Sequence, residues 1–144
     1  MARRLTFNIF RYNPQDPHSV PRTDTFDLEE TESMTHFIAL TQLREEKDPS
    51  LQFDFCCRAG ICGACAMMIN GRPGLACHTL TKDLSDEITL MPLPIFKLIG
   101  DLSVDTGTWF RAMYEKVESW VHTDKEFDPK ADEERMDNAI AEEI

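Results

Sequence analysis

Hydrophobic and polar residues alternate in the first stretch of the chain. Residues 5–10 read Leu-Thr-Phe-Asn-Ile-Phe, a period of two that predicts a half-buried strand. Asn13-Pro14 and Asp16-Pro17 then break the pattern into a loop, and 23–28 alternates again, so the two runs are expected to pair as a hairpin. The period changes over 34–44, where Met34, Phe37, Ile38, Leu40 and Leu43 fall on one helical face. Ser33 suits the N-cap of that helix and Asp48-Pro49 its stop, which leaves His36 on a solvated face. A short strand at 53–55 leads into a cysteine-rich loop. Residues 66–69 run through Asn70-Gly71, a strong two-residue hairpin signal, to Leu75-Ala76-Cys77, and 87–90 forms a further strand.

Hairpin, helix and then more strands is the order of an α+β chain of the β-grasp kind. The character changes at Pro92. Residues 93–102 are apolar and punctuated by proline, and are expected to run extended, with Leu93, Ile95, Phe96, Leu98, Ile99 and Leu102 surplus to a core already complete at Leu90. Asp105 and Thr106 offer a cap for a helix that aligns Trp109, Met113, Val117 and Trp120, and acids dominate the chain past Asp124. The expected organisation is a ferredoxin-like domain over 1–91, an extended connector over 92–104, and an amphipathic helix with an acidic tail over 105–144.

The chemistry lies in the cysteines. From Cys57 the spacing is C-x4-C-x2-C-x11-C, through Cys62 and Cys65 to Cys77. This is the plant-type ligand pattern for a two-iron, two-sulfur cluster. One short loop gathers three thiolates without help from the rest of the fold, and the hairpin returns the fourth. Gly60 and Gly63 accept positive φ and let backbone N–H groups approach an anionic ligand. Cys56 is one residue off the pattern and is read as a spare, an apolar filler on the other side of the 53–55 strand. A structural zinc on the same four thiolates is the main alternative, although zinc sites usually pair their ligands as C-x2-C twice. A redox dithiol at Cys62 and Cys65 would leave Cys57 and Cys77 unused. A Rieske centre needs two histidines, and only His78 stands near. A disulfide framework fits poorly with an odd count of five cysteines.

The net charge of −11 argues against nucleic acid and anionic lipid headgroups as partners. No apolar run approaches the ~18 residues that cross a bilayer, and no apolar signal region follows Met1, so the expected location is the cytoplasm.

The runs 57–71, Leu75-Ala76-Cys77, Met91-Pro92-Leu93-Pro94 and 99–105 together resemble the N-terminal half of the iron–sulfur subunit of fumarate reductase and succinate dehydrogenase. The wording at 117–122 is closer to bacterial menaquinol-linked fumarate reductases. The resemblance implies a one-electron carrier with a 2Fe–2S cluster on Cys57, Cys62, Cys65 and Cys77, and with Arg58, Gly60 and Gly63 contacting the cofactor. It implies an FAD-containing flavoprotein that performs the substrate chemistry, and a cytochrome b-type membrane anchor that holds the assembly at the cytoplasmic face of the membrane. Family members carry 3Fe–4S and 4Fe–4S clusters in a C-terminal half that does not follow Ile144, so the chain reads as a fragment or truncated copy.

Overall fold

The structure, a computed structural model, describes residues 3–116. The alternating run becomes β1 (Arg4–Arg11), whose Leu5, Phe7, Ile9 and Arg11 face inward. It pairs antiparallel with β2 (Arg22–Glu29), placing Leu5 opposite Leu28 and Phe7 opposite Phe26. The other edge of β1 pairs in parallel with β5 (Glu87–Met91), where Phe7 meets Ile88 and Ile9 meets Leu90. With β3 (Ala66–Ile69) and β4 (Arg72–Leu75) the mixed sheet has the order β2-β1-β5-β3-β4. A parallel pair cannot be closed by a tight turn, so the chain between β2 and β5 must cross over, and it does so through α1 (His36–Glu46). Ala39, Leu40 and Leu43 of that helix join Leu5, Phe7, Ile9, Ile88 and Leu90 in one buried core. The architecture is mixed α+β.

The helix begins two residues later than the sequence predicts. Thr35, not Ser33, is the N-cap: its hydroxyl accepts from Ile38 N at 3.3 Å, while Ser33 sits at φ 58° in the preceding turn. Met34 is pulled inward instead of starting the helix, because Thr81 N donates to its carbonyl at 2.9 Å. The end falls as expected, with the N–H groups of Lys47 and Asp48 both returning to Leu43 O just before Pro49.

This start also corrects the expectation for His36, which is fully buried. The first turn of α1 tucks against residues 79–81, so the ring lies under the chain, with Nδ1 2.8 Å from Thr79 O and its edge toward Phe7. Nδ1 must carry the proton to donate to a carbonyl, and Nε2 has no hydrogen-bond partner among the described residues. Burial pushes the His36 pKa below its ordinary value, the Thr79 bond opposing only in part. The unfolded chain therefore takes up this proton first as pH falls. The contribution of neutral His36 to stability is complete above about pH 6.5 and is lost progressively below it, with a slope of at most about 1.4 kcal/mol per pH unit. Denaturant midpoints at pH 7.5 and 5 are expected to separate more for the wild type than for His36→Gln. Equal separations would remove His36 from the acid response.

Residues 53–55 do not form a strand. Phe53 is buried, but the stretch joins no sheet: the backbone of Gln52 just before it is bonded by Leu102 N and by the Asp101 carboxylate, and the Asp54 carboxylate accepts from the Ser103 hydroxyl. Cys56, expected as an apolar filler on the other side of that strand, is exposed. The run after Pro92 is not simply extended. It turns at Ile95 (φ 82°) and folds into a small hairpin of β6 (Lys97–Gly100) and β7 (Ser103–Asp105). Leu102 belongs to the core at 2 % exposure, whereas Ile95 and Ile99 are exposed. Residues up to Thr106 form one compact unit. Helix α2 (Gly107–Lys116) belongs to a second unit, in which Trp109 and Met113 are exposed. The expected alignment with Val117 and Trp120, and the acidic tail, lie outside the described residues.

Candidate metal centre

The cysteine loop hangs between two anchored ends. On the entry side, Leu51 and Phe53 are in the core and Phe55 packs on Phe37 with ring centroids 4.9 Å apart. The Arg44 guanidinium from α1 lies over the Phe53 ring at 4.6 Å and over Phe55 at 5.7 Å, capping this aromatic group with a cation. On the exit side Cys65 passes straight into β3. The β3–β4 turn has Asn70 at φ 48° and Gly71 at φ 77°, the paired positive values of a type I′ hairpin. Asn70 is fixed to β5 through Thr89, whose N–H donates to Asn70 Oδ1 at 2.7 Å and whose carbonyl accepts from Asn70 N at 2.9 Å. The hairpin delivers Ala76 and Cys77 back beside Cys65, with Ala76 N donating to Cys65 O at 3.1 Å.

Within the loop Arg58, Gly60 and Gly63 take φ of 55°, 72° and 75°. Left-handed residues set among right-handed ones turn successive N–H groups toward one side, which builds an anion-receiving concavity. The acceptors here are sulfurs. Cys57 Sγ receives Ala59 N at 3.4 Å, Ile61 N at 3.4 Å and Cys62 N at 3.3 Å. Cys62 Sγ receives Cys57 N and Ala64 N, each at 3.5 Å. Gly60 N reaches Cys77 Sγ at 3.3 Å, and Cys77 N reaches Cys65 Sγ at 3.4 Å.

Electrostatics follow from this placement. The N–H groups of Ala59, Cys62 and Ile61 pull the Cys57 thiol down to about 6, so it is a thiolate near neutral pH. Burial pushes the Cys65 thiol up instead. The structure thus brings backbone N–H groups to the sulfurs of Cys57, Cys62, Cys65 and Cys77, while among the described residues no three or more His, Cys, Asp or Glu side chains are grouped closely enough to hold a single metal ion. Among the described residues, no backbone N–H reaches the Cys56 sulfur.

The expected cofactor-contacting residues divide. Gly60 gives its N–H to a sulfur, and a Cβ there would lie 3.3 Å from His78 Nδ1. Gly63 and Arg58 shape the backbone through positive φ, and the Arg58 side chain is exposed. Sequence reasoning passed over Phe37, Arg44, Asp101 and Ser103. These act on the loop through partners distant in the chain, and no local spacing marks them.

Comparison with known proteins agrees with this geometry. Residues 6–111 match the model of a family described as a 2Fe-2S iron-sulfur cluster binding domain. The whole chain is 57 % identical to the "Fumarate reductase iron-sulfur subunit" of Wolinella succinogenes, over 145 aligned residues that span 61 % of that protein. Over 83 % of its length it is 39 % identical to the "Succinate dehydrogenase [ubiquinone] iron-sulfur subunit 1, mitochondrial" of Oryza sativa subsp. japonica, spanning 43 % of it. The chain therefore covers less than two thirds of either relative. Among solved structures it superposes on a chain of the Mycobacterium smegmatis Sdh1 complex in the apo form, with a TM-score of 0.78 at 23 % identity, covering 96 % of this chain and 56 % of that one. A Helicobacter pylori hypothetical protein matches more loosely, with a TM-score of 0.55 at 19 % identity over 82 % of this chain and 23 % of that one. A cysteine loop of this spacing and geometry, lying within a family match that runs from β1 into α2, establishes that the chain belongs to the 2Fe-2S iron-sulfur cluster binding domain family.

Proposed function

We propose that the chain holds a two-iron, two-sulfur cluster through Cys57, Cys62, Cys65 and Cys77, and carries single electrons as the iron–sulfur subunit of a fumarate reductase or succinate dehydrogenase assembly. One observation carries the reading: each of these four sulfurs accepts at least one backbone N–H, and among the described residues the neighbouring Cys56 sulfur accepts none. The donor set fits the cofactor, being four thiols, one of them already a thiolate near neutral pH, in a concavity lined by positive dipole ends. The bound cluster supplies one-electron redox chemistry. The chain's residues hold the sulfurs, direct N–H dipoles at them to favour added negative charge, and brace both ends of the loop.

In this reading the interconversion of fumarate and succinate belongs to an FAD-containing flavoprotein partner, since the chain's contribution is electron transfer. A cytochrome b-type membrane anchor exchanges electrons with quinone, menaquinol on the bacterial pattern. It holds the chain peripherally at the cytoplasmic face of the membrane. Among the described residues no helix is long and apolar enough to cross a membrane. The 3Fe–4S and 4Fe–4S clusters belong to the length of the relatives that this chain does not span.

The test is elemental. The purified chain is expected to be coloured and to contain iron and acid-labile sulfide in equal amounts, with a reduced-state EPR signal. A colourless chain that holds zinc in place of iron would overturn the proposal.

A further inference from the structure

We infer that the β6–β7 hairpin is a positioning clamp for the first sulfur: Asp101 and Ser103 hold residues 52–54 in the setting from which Cys57 enters its ring of N–H groups. The inference rests on the reading of Cys57 as a cluster ligand. The lead-in to the loop has two sides. Leu51 and Phe53 are buried in the core at 2 % and 5 % exposure, which fixes one side by packing. The other side, at Gln52 and Asp54, joins no strand of the five-stranded sheet and is held by hydrogen bonds from the turn and start of this hairpin.

The grip is specific. Asp101 Oδ2 accepts from Gln52 N at 3.0 Å, and Leu102 N donates to Gln52 O at 3.1 Å, so both backbone groups of Gln52 are engaged. Asp101 Oδ1 accepts from Tyr12 N at 3.0 Å, and Asp101 N donates to Tyr12 O at 2.9 Å, which ties the clamp to the end of β1. Arg11, itself 3 % exposed, brings Nε within 3.1 Å of Asp101 Oδ2, a charge contact that is not aligned as a hydrogen bond. Asp101 takes φ 48°, a conformation that L-residues avoid and aspartate tolerates better than most. Such strain persists only where the surroundings over-determine it. Among the described residues the last hydrogen bond before the loop is Ser103 Oγ donating to Asp54 Oδ2, followed by the packing of Phe55 on Phe37. Asp54 is exposed, so this bond contributes little to the core. It stands three positions before Cys57 and is placed to set the direction of the chain there.

A structural role and a positioning role predict different results. In the full chain carrying its cluster, Ser103→Ala is expected to raise the rate of cluster loss to an iron chelator roughly tenfold, the scale of one hydrogen bond, and to alter the reduced-state EPR line shape. Ser103→Thr, which keeps the hydroxyl, is expected to restore both. Leu5→Ala, which opens a core cavity elsewhere, should lower the melting temperature further yet keep the wild-type line shape. The clamp is overturned if Ser103→Ala matches the wild type in both readouts, or if Leu5→Ala reproduces its line shape. Amide exchange on the chain as isolated adds an arm that needs no cluster. Ser103→Ala should raise exchange at 53–57 and leave β1 and β5 unchanged, and unaltered exchange at 53–57 also overturns the inference. A wild-type chain without iron refutes the proposed function instead, and amide exchange then decides the clamp alone.

Discussion

Cys57→Ser is expected to strip the chain of its visible absorption and reduced-state EPR signal, while Cys56→Ser, one residue away, leaves both intact. The two thiols are adjacent in sequence and both are exposed, so exposure does not separate them. What separates them is the backbone around them. Three N–H groups converge on Cys57 Sγ at 3.3–3.4 Å and hold it as a thiolate, the form that binds iron. Serine in that place keeps an oxygen of much higher pKa and shorter reach. Losing a supporting contact costs a metal site roughly tenfold to a hundredfold in affinity, and a lost ligand should cost at least as much. Iron per chain, visible absorbance and EPR amplitude check the prediction together. A bleached Cys56→Ser beside a coloured Cys57→Ser would move the first ligand to Cys56.

The legible and illegible parts of the chain divide by the range of the interaction. β1 and β2 could be read from period-two alternation, and the β3–β4 hairpin from Asn70-Gly71, the residues a type I′ turn requires. The cysteine spacing was legible because three of the cysteines share one loop, and a tight turn leads to the fourth. His36 was misread because its burial depends on residues 79–81, distant in sequence, which close over the first turn of α1. The 53–55 run was misread as a strand for a related reason. It alternates, but it joins no ladder: the backbone of the preceding Gln52 is bonded to the Asp101 carboxylate and Leu102 N, and the Asp54 carboxylate to the Ser103 hydroxyl. The hairpin of β6 and β7 was hidden because prolines precede it and its own turn is made by Asp101, a non-glycine residue at φ 48°, and Leu102. Its contribution to the site passes through side chains at Asp101 and Ser103 that no spacing connects to the cysteines.

Valine at either loop glycine should cost the chain its cluster, but by different routes. Gly60 and Gly63 sit at φ 72° and 75°, where an L-residue carries a penalty of about 1–2 kcal/mol, and a β-branched one more. At Gly63 a Cβ would find nothing within 4 Å among the described residues, so the expected effect there comes from the backbone and not from crowding. Gly63→Asn should then be milder than Gly63→Val, because asparagine tolerates the left-handed region. At Gly60 a second cost is added. A Cβ would lie 3.3 Å from His78 Nδ1 and 3.4 Å from its Cγ, and the backbone that must shift carries the N–H donated to Cys77 Sγ. Gly60→Ala is therefore expected to lose iron to a chelator faster than Gly63→Ala, and adding His78→Ala should remove that excess without restoring the wild-type rate. If Gly63→Val retains its cluster as firmly as Gly63→Asn, positive φ is not what position 63 requires. If His78→Ala leaves Gly60→Ala unrelieved, the sensitivity of position 60 comes from its backbone conformation alone.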